Sequence, residues 1–190
     1  MTVLEAAKTK YNFQIHYPGP GVGGPCLPIN SYQYLNTAKK FDLPLKLVKT
    51  ARTVNESMPL HVVKLLSDAF EEQNQQIRGS TVLLLGVSYK PDVKDIQISP
   101  AEKVIEKLKE LNVHVRIYDP YFISKNIFGI DSEINLIDAL STSDGVILIT
   151  PHKEFYNLKP TFLKSKLRNP IFIDTRCILN QHEAINAGLI

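Results

Sequence analysis

The sequence predicts an α/β protein in which a helical region is followed by a domain of alternating strands and helices. Long helical periodicity ends at Arg78-Gly79-Ser80, and short apolar runs rich in β-branched residues follow it. Because these runs are apolar on both faces and alternate with helices, they are typical of a parallel sheet covered on both sides. We therefore predict a Rossmann-like three-layer α/β/α domain over residues 79–190, preceded by a helical region over residues 1–78.

The second region is predicted to contain four strands and four helices. The predicted strands are short apolar runs, at residues 81–85, 114–118, 145–149 and 171–174. The predicted helices lie between and after them, at residues 99–111, 135–140, 161–166 and 181–187. The first of these helices has a clear start at Ser99-Pro100, because proline is well tolerated at the first position of a helix.

The first region begins with two short predicted helices. Residues 1–13 are predicted as the tail of a helix, because apolar side chains recur there at helical spacing. A second helix is predicted to be capped by Asn30 or Ser31 and to end near Phe41, since the Leu43-Pro44 pair that follows breaks it.

A longer helical pattern covers residues 45–75 and contains Pro59. We expect Pro59 to kink this helix or to mark a restart, because proline lacks a backbone N–H and its ring clashes with the preceding turn. The apolar side chains recur mainly at steps of three and four, at Met58, Val62, Leu65, Leu66, Ala69 and Phe70. Two interpretations of this surface stay open, namely packing within the chain and a homodimer seam.

Composition argues against several classes of partner. The chain has 22 Lys and Arg against 19 Asp and Glu, and a net charge of +3 is too small to predict a nucleic-acid-binding surface. No apolar run approaches the roughly 20 residues that cross a bilayer, and residues 1–8 lack a signal-peptide layout. We therefore expect a cytoplasmic protein with no membrane partner. CxxC, HExxH and acidic clusters are absent, so we predict no metal site.

Residues 18–28 form a loop rich in glycine and proline, a composition that excludes helix and regular strand. Gly19, Gly21, Gly23 and Gly24 leave backbone N–H groups open, so the loop can hold an anionic or sugar ligand. A loop of this kind can also be a mere connector. It is not a P-loop, because GxxxxGK[ST] is absent.

Cys26 lies at the end of this loop, just ahead of a predicted helix start. Because the positive end of a helix dipole stabilises a thiolate, Cys26 is a candidate nucleophile, and the alternative is a small buried hydrophobe. Cys177 follows a strand inside an apolar run, and we expect it to be buried. In a reducing compartment we expect no disulfide between the two cysteines.

Charged residues follow the first and last predicted strands. Lys90 and Asp95 come after the first strand, and Arg176 comes after the last. Ligands of open parallel sheets bind outside the carboxyl ends of the strands, and arginine suits bidentate phosphate binding. The alternative for each charge is a solvated strand end. Gly86 has no second glycine at GxG spacing, so the domain does not match a standard NAD-binding Rossmann fold.

Taken together, four segments resemble the UDP-glucose/GDP-mannose dehydrogenase family, in order and over nearly the whole chain. YPGPGVGGPCLP (17–28) is similar to its catalytic-cysteine loop, and TARTVNE (50–56) is similar to the start of its dimerisation helix. GVSYKPDVKD (86–95) with SPA (99–101), and FIDTR (172–176), are similar to its nucleotide-sugar-binding domain. The GPGVGG form resembles the N-acetylhexosamine members of the family more than the glucose members.

The resemblance implies an NAD-dependent enzyme of polysaccharide biosynthesis that oxidises a sugar 6-hydroxyl to a carboxylate by two hydride transfers. By position, Cys26 would be the nucleophile that forms a thiohemiacetal and then a thioester. The resemblance also implies a homodimer through the 45–75 helix. The residues that would bind the UDP-sugar are Tyr17, Gly23, Gly24, Lys90 and Arg176, with Arg176 at the uridine diphosphate end.

The chain also departs from the family pattern. The family's N-terminal NAD-binding domain is not represented, so we expect the chain alone to be inactive. Asn30 stands where the family has an aspartate, and asparagine cannot act as a general base. Gln97 stands at an arginine on the cofactor side, which removes a charge beside the NAD pyrophosphate, and Pro25 often is histidine in the family.

Three functions therefore stay open at this point. The first is the C-terminal part of a nucleotide-sugar 6-dehydrogenase, with NAD bound elsewhere or by a separate subunit. The second is a UDP-sugar-binding dimer without redox chemistry. The third and weakest is a cysteine hydrolase built on Cys26, for which neither His16 nor His61 lies in a recognisable catalytic setting.

Overall fold

The structure, a computed structural model, describes residues 2–190, with the side chain of Thr2 excepted. The first region contains three helices, α1 (Thr2–Lys8), α2 (Leu27–Lys39) and α3 (Lys46–Glu72). Met1, part of the first predicted helix, lies outside the described residues. Helix α1 ends five residues earlier than predicted, because the N–H groups of Thr9 and Lys10 bond to the carbonyls three residues before them and close its last turn.

Helix α2 begins at Leu27, and its cap, Cys26, lies four residues before Asn30, the earlier of the two predicted caps. The sequence prediction was wrong here because it placed Pro28 in the loop. Pro28 occupies the first turn of the helix, where the backbone N–H has no intrahelical partner and its absence costs nothing. Cys26 is consequently the N-cap residue of α2, and the N–H of Asn30 donates to its carbonyl at 2.9 Å.

Helix α3 runs through Pro59 as one element, so the predicted restart does not occur. Pro59 cannot donate to the carbonyl of Asn55 four residues earlier. The loop rich in glycine and proline at residues 18–28, which we call the glycine loop, packs against α3 at this point. The N–H of Val22 donates to Asn55 Oδ1 at 2.8 Å. Gly21 also lies close to Asn55, because a Cβ added at Gly21 would be 3.4 Å from the Asn55 carbonyl oxygen. The turn of α3 that proline weakens is thus covered by the loop.

The second region is built on a parallel sheet of four strands in the order β2-β1-β5-β6. These strands are β1 (Thr81–Leu85), β2 (His114–Tyr118), β5 (Gly145–Leu148) and β6 (Phe172–Asp174). A short antiparallel pair, β3 (Asn126–Ile127) and β4 (Ile130–Asp131), lies beside β2 and was not predicted. The helices of this region are α4 (Pro100–Glu110), α5 (Leu136–Ser141), α6 (Pro160–Lys166) and α7 (Gln181–Asn186).

The predicted elements of this region agree with the structure to within one residue at each end. The two best-defined helix starts are explained by their caps, because Ser99 accepts from the N–H of Ala101 at 3.2 Å and Asn135 accepts from the N–H of Ile137 at 2.8 Å. A short 3-10 helix, Lys153–Asn157, was not predicted.

The sheet is covered on both faces, which confirms the predicted α/β fold with a parallel sheet. One core joins α4 and the second half of α3 to Val82 and Leu84, and the other joins α5 and α6 to Leu83 and Leu85. Side chains of α3 that face the first core, such as Leu66 and Phe70, are fully buried. The second half of α3 therefore belongs to the same core as the sheet.

A buried aspartate joins the loops that leave the carboxyl ends of β1, β2 and β5. The carboxylate of Asp119 accepts from the N–H of Val87 at 2.8 Å and from His152 Nε2 at 3.0 Å. His152 Nδ1 in turn accepts from the N–H of Asp92 at 2.9 Å. Asp119 and His152 are both fully buried. Their shared hydrogen bonds connect three loops at the edge of the sheet where ligands of such folds bind.

The ionised form of Asp119 is stabilised in this environment. Burial acts to raise the pKa of the Asp119 carboxyl, but hydrogen bonds from His152 and from the N–H groups of Val87 and Tyr121 outweigh burial, so the net shift lowers the pKa. A carboxyl with a lowered folded pKa stabilises the fold above its unfolded pKa of about 3.9. That contribution is lost as the pH falls through the folded value.

We expect Asp119→Asn to reduce the free energy of unfolding by about 2 kcal/mol at pH 7, because the amide cannot accept all the hydrogen bonds of the carboxylate. The difference should shrink as the pH falls from 5 towards 2, where the wild-type carboxyl protonates. Urea denaturation at a series of pH values measures both effects. Asp42→Asn, at an exposed position, is the control. Parallel pH profiles for wild type and Asp119→Asn would contradict the prediction.

Candidate functional site

The glycine loop is held on the carboxyl edge of the sheet by two close approaches. The N–H of Gly24 donates to the carbonyl of Gln97 at 2.9 Å. Gly24 has a φ of +89°, and a Cβ at that position would be 2.7 Å from the ring of Tyr89. A Cβ at Gly23 would overlap the carbonyl of Ile98. Both positions therefore need glycine if the loop is to lie against the segment between β1 and α4.

Cys26 follows this contact at the N-terminus of α2. The residue is exposed, and its side chain makes no capping hydrogen bond to the helix. The thiol is thus accessible at the N-terminus of a helix of 13 residues.

The structure brings five of the predicted site residues into one cleft of about 460 Å³, which we call the thiol cleft. The glycine loop forms one wall, and the residues after β1 and β6 form the other. The predicted residues that line it are Gly23, Gly24, Cys26, Lys90 and Arg176. A thiol and two cations therefore face the same space.

A second cleft of about 840 Å³ adjoins the first, and we call it the tyrosine cleft. Tyr17, the sixth predicted residue, lines this cleft together with Tyr156 and Cys177. Lys90 and Arg176 line both clefts, so they stand where the two meet. The combined space can hold an elongated ligand with its negative charge at the junction and its two ends in different clefts.

Arg176 is fixed in place by the strands beneath it. Its Nε–H donates to the carbonyl of Ile149 at 3.0 Å, and its backbone N–H donates to Asp174 at 3.0 Å. Burial lowers the pKa of the Arg176 guanidinium below its usual value, although the group remains a cation at any physiological pH. The side chain also packs against Gly19, where a Cβ would overlap the guanidinium.

The two tyrosines that line the tyrosine cleft, Tyr17 and Tyr156, are positioned by different contacts. The hydroxyl of Tyr17 donates to Glu5 at 3.1 Å, and this hydrogen bond raises the pKa of the Tyr17 phenol. Tyr156 belongs to the 3-10 helix, which is anchored by the buried ring of Phe155 and by a hydrogen bond of 2.7 Å from Tyr118 to Glu154. Tyr156 is nevertheless 61% exposed and lines the cleft.

Two sequence predictions need comment. Cys177 was expected to be buried, and this was wrong, because the residue is exposed with a φ of +53°. The turn after β6 is built around Asp174, whose carboxylate accepts from the N–H groups of Arg176 and Leu179 and turns Cys177 outwards. The side chain of Gln97 is exposed and lines neither cleft, whereas its carbonyl holds Gly24.

Several residues of the clefts were missed by sequence reasoning. Tyr89 lines the thiol cleft and Tyr156 the tyrosine cleft, whereas Asp119 and His152 bond to the backbone on either side of Lys90. Their positions in the sequence could have identified Asp119 and His152, since Asp119 directly follows β2 and His152 follows β5 by a few residues. Polar residues directly after buried parallel strands collect at one edge of the sheet.

The described residues do not fit a dinucleotide. Gly19, Gly21 and Gly24 spell GxGxxG, but no strand precedes them among residues 9–26, so the strand–turn–helix arrangement that binds a pyrophosphate is missing there. After β1, Gly86 packs against Thr150, and the chain reaches α4 only through residues 86–99. The first place therefore lacks the strand and the second lacks the tight glycine turn, so neither has the strand–turn–helix arrangement that binds such a cofactor.

Residues 2–190 contain neither a metal-binding cluster nor a membrane-spanning helix. No group of three histidine, cysteine, aspartate or glutamate side chains is arranged to hold a metal ion. Within the same residues, no helix has the length and apolar character to cross a membrane.

Comparison with known sequences adds family evidence to this geometry. The UDP binding domain of the UDP-glucose/GDP-mannose dehydrogenase family matches residues 83–181, and the central domain of the same family matches residues 1–57. UDP-N-acetyl-D-mannosamine dehydrogenase from Pyrococcus horikoshii is 33% identical over 94% of this chain and 40% of its own length. The enzyme of that name from Methanocaldococcus jannaschii is 34% identical over 94% of this chain and 39% of its own length.

Solved structures of enzymes with similar names have the same fold as this chain. The UDP-D-ManNAc dehydrogenase of Pyrococcus horikoshii superimposes with a TM-score of 0.81 at 32% identity, over 95% of this chain and 41% of that one. An NDP-N-acetyl-D-galactosaminuronic acid dehydrogenase from Methanosarcina mazei superimposes with a TM-score of 0.88 at 26% identity, over 100% of this chain and 42% of that one.

The chain spans about 40% of the length of the curated relatives that it matches. The match to the UDP binding domain alone covers residues 83–181, just over half of the 190 residues, and the match to the central domain covers most of the helical region. The predicted boundary between residues 78 and 79 lies between these two matches and stays a prediction. By sequence and by fold, this chain belongs to the UDP-glucose/GDP-mannose dehydrogenase family.

Proposed function

We propose that this chain is the substrate-binding and thiol-bearing part of a nucleotide-sugar 6-dehydrogenase, acting on a UDP-N-acetylhexosamine. One observation carries the proposal: Cys26, Lys90 and Arg176 line a single cleft. The family resemblance and the relatives' names, which include UDP-N-acetyl-D-mannosamine dehydrogenase, supply the class of substrate.

In this proposal the diphosphate lies where the two clefts meet. Arg176 presents a planar guanidinium that suits two phosphate oxygens, and Lys90 adds a second positive charge. The sugar then extends into the thiol cleft towards Cys26, with Gly23 and Gly24 beside it. The uridine extends into the tyrosine cleft, where Tyr17 and Tyr156 offer aromatic surface.

Cys26 is proposed as the nucleophile towards the aldehyde stage of the sugar. Its sulfur adds to the carbonyl carbon, one C–S bond forms, and the carbonyl oxygen takes up the thiol proton, so the thiohemiacetal forms without any change in oxidation state. The two oxidations themselves require NAD as hydride acceptor, according to the family resemblance. Because the described residues do not fit a dinucleotide, we propose that NAD is bound by another domain or by a separate subunit.

Two substitutions favour a second candidate, a UDP-sugar-binding module without turnover. Asn30 lies one turn into α2 from Cys26, where the family resemblance expects an aspartate able to activate water. Gln97 replaces the arginine expected on the cofactor side and does not line the clefts. Both candidate functions share the binding site, and they differ only in whether Cys26 reacts.

We also propose that α3 forms a homodimer seam. Leu47, Val54 and Leu65 are exposed and recur at intervals of seven and eleven residues, so they lie along one side of the helix. This side is separate from the buried side that carries Leu66 and Phe70. An exposed apolar stripe of this length on a long helix is typical of an interaction surface.

The binding site is tested by isothermal titration calorimetry of the chain with UDP-N-acetylglucosamine, UDP-N-acetylmannosamine, UDP-glucose and GDP-mannose. We expect the UDP-N-acetylhexosamines to bind best. Arg176→Ala should weaken that binding about 10- to 100-fold, because hydrogen bonds to charged groups contribute about 1.5–3 kcal/mol. Arg168→Ala is the matched control, since Arg168 pairs with Asp144 outside both clefts. No binding by the wild type, or equal affinities for the two variants, would refute the site.

The two exposed cysteines report the orientation of the ligand, because Cys26 lines the thiol cleft and Cys177 lines the tyrosine cleft. We expect a UDP-N-acetylhexosamine to slow iodoacetamide labelling of both cysteines. UDP, which lacks the sugar, should slow labelling of Cys177 only. At a ligand concentration ten times Kd the protection should be about tenfold, since only about a tenth of the chain is then free. Mass spectrometry measures each site, and protection of Cys26 by UDP alone would reverse the proposed orientation.

Analytical ultracentrifugation tests the dimer. Leu47→Glu combined with Val54→Glu should convert a dimer of this chain into a monomer, because four charges would then face each other across the seam. Thr53→Glu combined with Ser57→Glu adds the same charge at exposed positions on another side of α3, and it should leave the dimer intact. A wild type that sediments as a monomer at high concentration would exclude the seam.

A further inference from the structure

We propose that His152 is a positioning residue for Lys90. The inference rests on the proposed function, in which Lys90 contacts the nucleotide sugar. His152 lies below the clefts, is fully buried and is not itself a lining residue. Its contribution to binding would therefore act through the backbone of the segment that carries Lys90.

Both nitrogens of the His152 ring are used. Nε2 lies 3.0 Å from the carboxylate of Asp119, and Nδ1 accepts the backbone N–H of Asp92 at 2.9 Å. Because an acceptor nitrogen carries no proton, the ring is neutral, with its proton on Nε2 directed at Asp119. The carboxylate thereby selects the tautomer whose other nitrogen can receive the Asp92 N–H.

The segment that carries Lys90 is fastened on both sides of it. On one side, the N–H groups of Val87 and Ser88 donate to Asp119, at 2.8 and 3.3 Å. On the other side, the N–H of Asp92 donates to His152. One buried pair thus holds both ends of a stretch of a few residues, and the exposed side chain of Lys90 takes its position from that stretch.

Asp92 is the point at which this arrangement depends most on His152. It has a φ of +58°, a conformation that is unfavourable for residues other than glycine unless neighbouring contacts hold it. Its carboxylate accepts from the N–H of Lys153 at 3.0 Å and from the hydroxyl of Tyr121 at 3.4 Å. Without the Nδ1 acceptor, Asp92 loses its only backbone link to His152, and the segment can relax away from the left-handed conformation.

A double-mutant cycle separates positioning from general support of the fold. We expect Lys90→Ala to weaken UDP-N-acetylhexosamine binding about tenfold, as for the loss of one charge-assisted hydrogen bond. His152→Ala should weaken it by a similar factor. The double variant should bind no more weakly than Lys90→Ala alone, because there is no longer a lysine to position.

Two single variants test which ring nitrogen matters. His152→Asn can present an amide oxygen near the place of Nδ1, and it should restore most of the affinity lost in His152→Ala. His152→Gln can reach the place of Nε2 only, and it should not restore it. Leu163→Ala, in the core beside α6, lowers stability without removing any hydrogen bond of Asp119, His152 or Asp92, and it should leave the affinity unchanged.

The outcomes distinguish the inference from the function on which it rests. If the wild type does not bind any UDP-sugar, the proposed function fails. If the wild type binds and His152→Ala binds equally well, the positioning role is wrong and the binding site stands. The same holds if the losses of affinity caused by His152→Ala and Lys90→Ala multiply in the double variant. If Lys90→Ala binds like the wild type, the inference also falls. Hydrogen exchange of the amides of residues 88–90 and 92 gives a readout that needs no ligand, and it should accelerate in His152→Ala but not in Leu163→Ala.

Discussion

The contact between the glycine loop and the segment that precedes α4 is the interaction on which the clefts depend. Gly23 and Gly24 allow two stretches of backbone to approach more closely than any side chain would permit, and the N–H of Gly24 bonds to Gln97 across the contact. This approach sets Cys26 above the sheet edge that carries Lys90 and Arg176. A thiol from the helical region and two cations from the sheet domain thereby come to share one space.

A second constraint on the clefts comes from the buried pair of Asp119 and His152. Parallel strands deliver their following loops to one edge, but the strands alone do not hold these loops relative to each other. The buried pair of Asp119 and His152 does so, because one carboxylate and one imidazole receive hydrogen bonds from residues that follow β1, β2 and β5. The low polarity around this pair makes each hydrogen bond count for more than it would at the surface. The loops after β1, β2 and β5 are consequently joined to one another by buried hydrogen bonds.

Sequence reasoning succeeded where one local signal decided the structure. The four strands of the parallel sheet and the four α-helices after residue 79 were predicted to within one residue, because apolar runs and caps such as Ser99 and Asn135 mark them directly. It failed where distant contacts decided. The start of α2 was placed too late because Pro28 was taken as loop, and Cys177 was placed inside because the turn around Asp174 is not visible in an apolar pattern. The clefts could be outlined from residue types, whereas their support by His152 requires three loops to be known together.

The second half of α3 packs in the same core as β1 and α4, so this part of the helix and the sheet belong to one packed unit. Many nucleotide-binding proteins create their sites by closing two lobes over the ligand, and part of the binding free energy is then spent on that rearrangement. Here both walls of the thiol cleft are carried by a single packed unit. The glycine loop already meets the other wall through the hydrogen bond between Gly24 and Gln97, so a ligand of the thiol cleft does not have to bring the two walls together.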